Sequence, residues 1–320
     1  MSPLLSIIVV AYRMPRQLEN TIHTLSANYQ RGVDPGDYEV IVLENQSDAM
    51  LPARVRDELP SNFRYFARDE ERPTPSHALA SGVGEARAAH LAIMVDGAHL
   101  LTPGVVANAL ELIRGHSQLL VAVPVYHLGS EPQNISAESG YDEHAEAELL
   151  QSVDWRGDGY DLFRVGCWCG AHRNGFLQPL MESNCYVTSR QAFEAVGFEP
   201  SDFELPGGGA MNLHLFRKLG LQRGQRYFLL PGEGSFHQFH GGVTSNSGRD
   251  RHLEAFNRQL SELWPDGFQG LRRNPCLYGQ VPPQAVQHFA ESARLAIRRA
   301  RRKAKLEQTL WPDDEAVELD

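Results

Sequence analysis

The stretch LLSIIVVA, residues 4–11, decides the fold. An apolar run rich in Ile and Val predicts a strand buried on both faces, as in a parallel sheet. A helical pattern begins at Pro15, and a second buried strand, YEVIVL, spans residues 38–43. Strand, helix and strand in this order predict a βαβ unit with a right-handed crossover. Ligands bind beyond the carboxyl ends of such strands, so residues 12–13 and 44–48 should border a ligand site.

The alternation of strands and helices continues along the chain. Further strands are predicted at residues 63–67, 90–95, 119–126, 183–188 and 226–230. Helices are predicted between them at residues 76–90, 102–113, 189–196 and 210–219. The alternation stops near residue 262, and a long basic helix is predicted over residues 285–308. We therefore expect an α/β domain over residues 1–262 and a C-terminal extension over residues 263–320.

The composition excludes several classes of protein. The chain has 320 residues with 30 Lys and Arg against 40 Asp and Glu, a net charge of −10, which argues against nucleic-acid binding. Its four cysteines are too few for a disulfide-stapled secreted scaffold of this length. We find neither a signal-peptide pattern nor an apolar run near the ~20 residues that span a bilayer. We expect a cytoplasmic protein.

The predicted C-terminal helix is strongly basic. Residues 294–305 contain seven Arg and Lys side chains opposite a face that is mostly alanine. Such a helix can lie on an anionic membrane surface, here at the inner face of the membrane. The alternatives are a solvated helix, an oligomer contact, and pairing with the five acids of residues 313–320.

Four segments of the sequence, taken in this order, resemble the conserved segments of a known family. They are SIIVVAYRMPRQLENTIHTL (6–25), YEVIVLENQSD (38–48), AIMVDGAHLLTPG (92–104) and ESNCYVTSRQAF (182–193). Together they resemble the family 2 glycosyltransferases of GT-A fold, over roughly residues 4–245. The resemblance implies a Rossmann-like, mostly parallel sheet flanked by helices, followed here by a helical C-terminal extension. It also implies an inverting transfer from a nucleotide-diphosphate sugar, UDP-linked, to a hydroxyl of a glycan or lipid-linked saccharide.

The family's D-x-D metal motif has a variant form here. Ala98 stands where the family has the second Asp, and His99 follows it. The resemblance implies that Asp96, His99 and His240 hold the metal, Mn²⁺ or Mg²⁺, with His237 the less favoured member of its pair. Oxygen ligands suit both ions, and imidazole is acceptable to Mn²⁺. The alternative is that Asp96 caps the next segment and the histidines pack against neighbouring aromatic rings.

The resemblance also implies a nucleotide site at the strand ends. The residues expected to contact the nucleotide are Ala11, Tyr12, Arg13, Glu44, Asp96 and Gly97. Glu44 would meet the ribose or the base, and Arg13 would face phosphate or base. A turn-forming acid is the alternative role for Glu44.

An inverting transfer needs a carboxylate that accepts the proton of the acceptor hydroxyl. Gly208 and Gly209 stand where related enzymes usually carry an acidic pair. Glu204 is the favoured substitute, and Asp202 and Glu182 are the other candidates.

Two alternative functions remain open at this point. The missing acids also fit a non-catalytic relative that binds nucleotide or glycan. A sugar-phosphate nucleotidyltransferase is disfavoured, because the turn AYRMPRQ, residues 11–17, contains no glycine of a phosphate loop. Trp155, Tyr160 and Trp168 could stack on an acceptor sugar, but core packing is the favoured role for them.

Overall fold

The computed structural model describes residues 2–241 and 249–305. Its strands are β1 (Leu5–Ala11), β2 (Tyr38–Asn45), β3 (Phe63–Arg68), β4 (His90–Met94), β5 (His99–Leu101), β6 (Leu119–Ala122), β7 (Val125–Leu128), β8 (Gly166–Trp168), β9 (Tyr186–Ser189), β10 (Arg226–Leu229), β11 (Ser235–His237) and β12 (Cys276–Leu277). Its helices are α1 (Pro15–Leu25), α2 (Ala53–Asp57), α3 (Ser76–Glu85), α4 (Val105–Gly115), α5 (Gln133–Ser136), α6 (Glu143–Gln151), α7 (Arg190–Glu194), α8 (Met211–Leu221), α9 (Arg249–Leu263) and α10 (Val286–Lys305).

Within the described part of the chain, eight strands form the large central sheet. Their order is β12-β10-β6-β9-β4-β1-β2-β3. Every neighbouring pair is parallel except the two that involve β9, which runs antiparallel to β4 and β6. The mostly parallel sheet predicted from the sequence is therefore confirmed.

Both faces of the large sheet are covered, as the apolar pattern of β1 predicts. Ile8 and Val10 join the apolar core that includes residues of α3 and α8, whereas Ile7 and Val9 join the core that includes residues of α1 and α4. Since successive side chains of a strand point to opposite faces, a strand between two cores must be apolar throughout.

A second, smaller sheet was not expected from the sequence. It contains β5, β11, β7 and β8 in that order. The strand predicted over residues 119–126 is split, because the chain turns at Val123-Pro124 and places β6 and β7 in different sheets. Pro124 has no N–H to continue the ladder of the large sheet. Its carbonyl instead accepts a hydrogen bond from Ser235 N, 2.9 Å away, beside β11.

The C-terminal extension packs onto the rest of the chain. β12 forms an edge of the large sheet beside β10. The first half of α10 is anchored by His288, whose Nε2 lies 3.0 Å from the Phe163 carbonyl, and by Ser292, whose hydroxyl accepts from Leu177 N at 3.0 Å. None of the helices in the described part of the chain has the length and apolar character needed to cross a bilayer. The acidic residues 313–320 lie outside the described residues.

Candidate active site

A cavity of about 950 Å³ opens beyond the carboxyl ends of β1, β2 and β4. Its wall includes Ala11, Tyr12, Arg13, Asn45, Asp96, Glu182, Asn184, Asn212, His237, His240, His252 and Phe256. This is the edge of the sheet at which the βαβ pattern predicted a ligand site. The volume is at the upper end of the range for small-molecule and cofactor sites.

Three side chains meet on this wall as a candidate metal centre. Oδ2 of Asp96 lies 3.2 Å from Nε2 of His237 and 3.4 Å from Nε2 of His240. The two imidazole nitrogens are 3.2 Å apart. One carboxylate oxygen and two ring nitrogens thus lie within 3.4 Å of one another, close enough to bind a single cation.

The small sheet brings these residues together. β11 pairs antiparallel with β5, and the register sets His237 directly opposite His99, three residues after Asp96. The loop after β11 is then fixed at Phe239. Gln17 Nε2 donates to the Phe239 carbonyl at 2.5 Å, and Phe239 N donates to the buried Glu146 carboxylate at 2.5 Å. The anchored loop carries His240 back to the cavity.

Gln133 fixes the tautomer of His237. Gln133 Nε2 donates to the His237 carbonyl at 2.9 Å, so its Oε1 must be the atom 2.5 Å from His237 Nδ1. Nδ1 therefore carries the proton of the neutral ring, and the lone pair of Nε2 faces Asp96. A hydrogen bond that orients the second nitrogen is typical of metal-binding histidines.

The surroundings keep Asp96 ionised. Burial alone would raise the pKa of Asp96, but the charge of His240 and a hydrogen bond from His240 hold that pKa well below its ordinary value. Burial alone would lower the pKa of His240, but the neighbouring Asp96 carboxylate raises it. The centre therefore presents a carboxylate whose charge attracts a cation.

His99, expected to bind the metal, is held away from this centre. It is fully buried, with Nδ1 2.9 Å from the Ser235 hydroxyl and Nε2 3.1 Å from Asn184 Nδ2. Both ring nitrogens are thus engaged, and burial lowers the pKa of His99 to about 3. His237, the less favoured residue in the sequence analysis, lies beside Asp96 instead, at the end of the strand SFH over residues 235–237.

Among the three candidate bases, Glu182 is the one that reaches the cavity. Its Oε2 accepts a hydrogen bond from Asn212 Nδ2 at 2.9 Å. Burial raises the pKa of Glu182, and the hydrogen bond from Asn212 offsets only part of that effect. A carboxylate with a raised pKa beside a ligand cavity is suited to accept a proton.

The structure does not bring Glu204 and Asp202 to the cavity wall. Glu204 is exposed and pairs with Arg72 and, at 2.6 Å, with His77. Asp202 is also exposed, and its carbonyl accepts from Gln259 Nε2 at 2.8 Å.

Ala11, Tyr12 and Arg13, which were expected to contact the nucleotide, line the cavity. Arg13 has a φ of 56° and lies 3.1 Å from Asp48. A positive φ is strained for a residue other than glycine, and such strain concentrates at functional sites.

Two other residues expected at the nucleotide have structural roles. Glu44 is fully buried and accepts hydrogen bonds from Leu51 N at 3.0 Å and from the Tyr65 hydroxyl at 2.6 Å. A Cβ at Gly97 would lie 2.9 Å from the carbonyl oxygen of Val10, so this glycine permits close approach of the chain to β1. Neither residue lines the cavity.

Asn45 takes the place expected for Glu44. Because neighbouring side chains of β2 point to opposite faces, Asn45 turns to the cavity while Glu44 turns away. Its Nδ2 donates to the Thr74 carbonyl at 3.1 Å, and its buried Oδ1 has no hydrogen-bond partner within residues 2–241 and 249–305. The alternation of side chains along β2 is the sequence signal that could have identified Asn45 in place of Glu44.

The aromatic residues on the wall also differ from those considered at first. Trp155, Tyr160 and Trp168 pack into or against the core, and none of them lines the cavity. Phe256 and His252 of α9 do line it, although nothing in the sequence pattern pointed to them. They are four residues apart and therefore share one face of the helix.

Comparison with solved structures shows a shared fold. A mannosyltransferase from Pyrobaculum calidifontis, solved with GDP-mannose and Mn²⁺, has 16% identity and a TM-score of 0.50, over 96% of this chain and 79% of that chain. At this identity the likeness shows a shared fold, that of the GT-A glycosyltransferases. TarS from S. aureus, residues 1–349 with UDP-GlcNAc, has 12% identity and a TM-score of 0.49, over 82% of this chain and 67% of that chain.

The family of the protein follows from a match of its sequence to a family model. The model of glycosyl transferase family 2 matches residues 6–173, a little over half of the chain. The chain therefore belongs to glycosyl transferase family 2, and it is a glycosyltransferase. A search of curated proteins found no match.

Proposed function

We propose that the protein is an inverting glycosyltransferase that moves a sugar from a nucleotide-diphosphate donor to a hydroxyl of a glycan or lipid-linked saccharide. The observation that carries the proposal is the convergence of Asp96, His237 and His240 in the same cavity as Glu182. A non-catalytic relative would need neither the cation site nor a carboxylate with a raised pKa.

The three convergent ligands fit a divalent cation. His237 is already oriented with its lone pair towards Asp96, and the carboxylate supplies the negative charge. Two imidazoles favour Mn²⁺ over Mg²⁺, because Mg²⁺ prefers oxygen ligands and retains its water. A bound cation would offset the negative charge that develops on the departing diphosphate.

The rest of the cavity suits the nucleotide. The unpartnered Oδ1 of Asn45 can accept from a ribose hydroxyl or a base N–H, and Ala11 and Tyr12 provide wall beside it. Arg13 offers a guanidinium for phosphate or base. The donor proposed first is UDP-linked, and GDP-mannose is the second choice because the Pyrobaculum enzyme was solved with it.

Glu182 is proposed as the base. It would take the proton of the acceptor hydroxyl while the hydroxyl oxygen attacks the anomeric carbon from the side opposite the diphosphate. The bond to the diphosphate breaks and the diphosphate leaves with the electron pair. A single displacement of this kind inverts the anomeric configuration.

The proposal includes a cytoplasmic location with peripheral contact at the inner face of the membrane. Arg294, Arg298, Arg301 and Arg302 are exposed on α10, and Ile297 is 51% exposed beside them. A basic patch of this kind on an otherwise acidic chain is attracted to anionic headgroups, at about 1 kcal/mol for each residue near the surface. This supports an acceptor that is linked to lipid.

The test is release of nucleoside diphosphate from UDP-glucose, UDP-galactose, UDP-GlcNAc and GDP-mannose in the presence of Mn²⁺. We expect release from at least one donor and a loss of about 100-fold or more in Asp96→Ala. Asp57→Ala, at an exposed position of α2, is the matched control. Nucleotide binding with no release from any donor would instead establish a non-catalytic relative, and full activity of Asp96→Ala would remove that residue from the mechanism.

A further inference from the structure

Helix α9 places one of its faces on the cavity. His252 and Phe256 line the wall, while Leu253 is 51% exposed on another face of the helix. Gln259, on the next turn, joins the helix to the loop that precedes α8. Its Oε1 accepts from Ala210 N at 2.8 Å. The helix lies outside the residues matched by the family model, so its contribution is a feature of this chain's second half.

The ring of Phe256 is half-buried, but it does not pack into an apolar core. It belongs to neither of the two apolar cores, whereas Leu263 and Trp264 at the end of the helix pack against one of them. The attachment of α9 therefore does not depend on Phe256. Its ring therefore presents an apolar surface to a ligand in the cavity.

Asn212 provides a second, independent sign of a ligand. It is only 9% exposed, and its Nδ2 lies 2.9 Å from Glu182 Oε2, 2.8 Å from Asn184 Oδ1 and 3.1 Å from the Ser183 carbonyl. These three acceptors fix the orientation of the amide. Among the residues that the structure describes, its Oδ1 has no hydrogen-bond partner, although buried polar atoms nearly always have one. An unpaired acceptor on a cavity wall is suited to a ligand O–H.

We propose that Asn212, His252 and Phe256 form the subsite for a pyranose ring of the acceptor. The inference rests on the proposed function and makes it more specific, because it names the residues that hold the acceptor ring. The C–H face of the ring packs on Phe256, and one hydroxyl donates to Asn212 Oδ1. Another hydroxyl of the same ring gives its proton to Glu182, and its oxygen forms the new bond to the anomeric carbon as the diphosphate leaves.

The position beside Glu182 assigns this ring to the acceptor. The side-chain amide of Asn212 also donates a hydrogen bond to Glu182, the proposed base. The unpaired oxygen of Asn212 and the carboxylate of Glu182 are therefore neighbours on the cavity wall. A ring held by the amide oxygen therefore presents its adjacent hydroxyl to the carboxylate. The donor sugar, in contrast, must place its anomeric carbon towards the diphosphate and the Asp96 centre.

The test measures binding of simple sugars to the full-length protein loaded with Mn²⁺ and either UDP or GDP. The probes are the methyl glycosides of glucose, galactose, mannose and N-acetylglucosamine, detected by saturation-transfer difference NMR. We expect at least one of them to bind, with a signal about fivefold weaker in Phe256→Ala and retained in Phe256→Tyr. Leu253→Ala, on the exposed face of the same helix, should bind like the parent protein.

Three results would overturn the inference while leaving the proposed function in place. They are an undiminished signal in Phe256→Ala, no binding of any glycoside to protein that holds nucleotide, and displacement of the glycoside by UDP-GlcNAc or GDP-mannose but not by UDP or GDP. The last result would assign the wall to the donor sugar. If titration calorimetry detects neither UDP nor GDP binding, the proposed function itself is contradicted, and the inference falls with it.

Discussion

At the scale of single residues, Glu182 and Glu204 show how surroundings select a base. Glu182 receives a hydrogen bond from the neutral amide of Asn212, and burial raises its pKa. Glu204 is exposed between Arg72 and His77. Proton transfer by a positioned group is worth about 10²–10⁴-fold. We expect Glu182→Gln to lower sugar transfer by a factor in this range without changing the dissociation constant of UDP measured by calorimetry.

The pH dependence of the transfer rate provides a second test of Glu182 as the base. Glu182 accepts a proton only when it is ionised, so the transfer rate should fall as the solution is acidified. Because burial raises the pKa of Glu182, this fall should be centred above 4.5, the ordinary value for glutamate. Glu204→Gln is the control and should keep both the rate and the profile. A large loss in that variant, with Glu182→Gln active, would move the base to the loop before α8.

At the scale of elements, β11 and the loop after it carry the two histidines of the candidate metal centre. Gln133 of α5 accepts from His237 Nδ1 and so keeps Nε2 free for the cation. We expect Gln133→Ala to weaken Mn²⁺ binding by about 10–100-fold, the usual effect of removing a residue that orients a metal ligand. Calorimetric titration of Mn²⁺ into the UDP-loaded protein measures this.

A matched variant tests whether the loss of Mn²⁺ affinity is specific to Gln133, which orients the ring of His237. Gln151 is exposed at the end of α6, and Gln151→Ala should bind Mn²⁺ like the parent protein. Equal affinities of the Gln133 and Gln151 variants would show that the cation site does not depend on the tautomer of His237.

At the scale of the whole molecule, Glu233 ties distant segments together in the interior. Its carboxylate accepts from the Thr102 hydroxyl, from the Tyr160 hydroxyl at 3.0 Å and from Gly104 N at 3.2 Å. Burial raises the pKa of Glu233 to about 7, against 4.5 for an ordinary glutamate. A carboxyl whose folded pKa exceeds its unfolded pKa stabilises the fold below pH 4.5 and loses that contribution as the pH rises through 7.

The free energy of unfolding should therefore fall by up to about 3 kcal/mol between pH 4.5 and 8 on account of this group. Glu233→Gln cannot ionise, so its Tm should change less than that of the parent protein between pH 5.5 and 8. Glu58→Gln, at an exposed site, should follow the parent curve. Parallel curves for the Glu233 variant and the parent would mean that Glu233 does not titrate in this range.

The large sheet could be predicted from the sequence because the signal is local. Ile7 to Val10 are apolar at every position, and burial on both faces of a parallel sheet is the arrangement that requires this. The small sheet could not be predicted, because β5 and β11 have three residues each and lie 134 positions apart from Leu101 to Ser235, with a pairing that depends on the rest of the fold.

The sequence by itself determined the family, the sheet edge that borders the cavity and the place of Asp96 at the end of a strand. Each of these follows from a contiguous pattern of apolar and polar residues. Only the tertiary structure decided that His237 rather than His99 faces Asp96, and that Glu182 rather than Glu204 reaches the cavity. The physical reason is that a side chain's role depends on its partners, and Gln133, Ser235, Asn184 and Asn212 come from segments far apart in the chain.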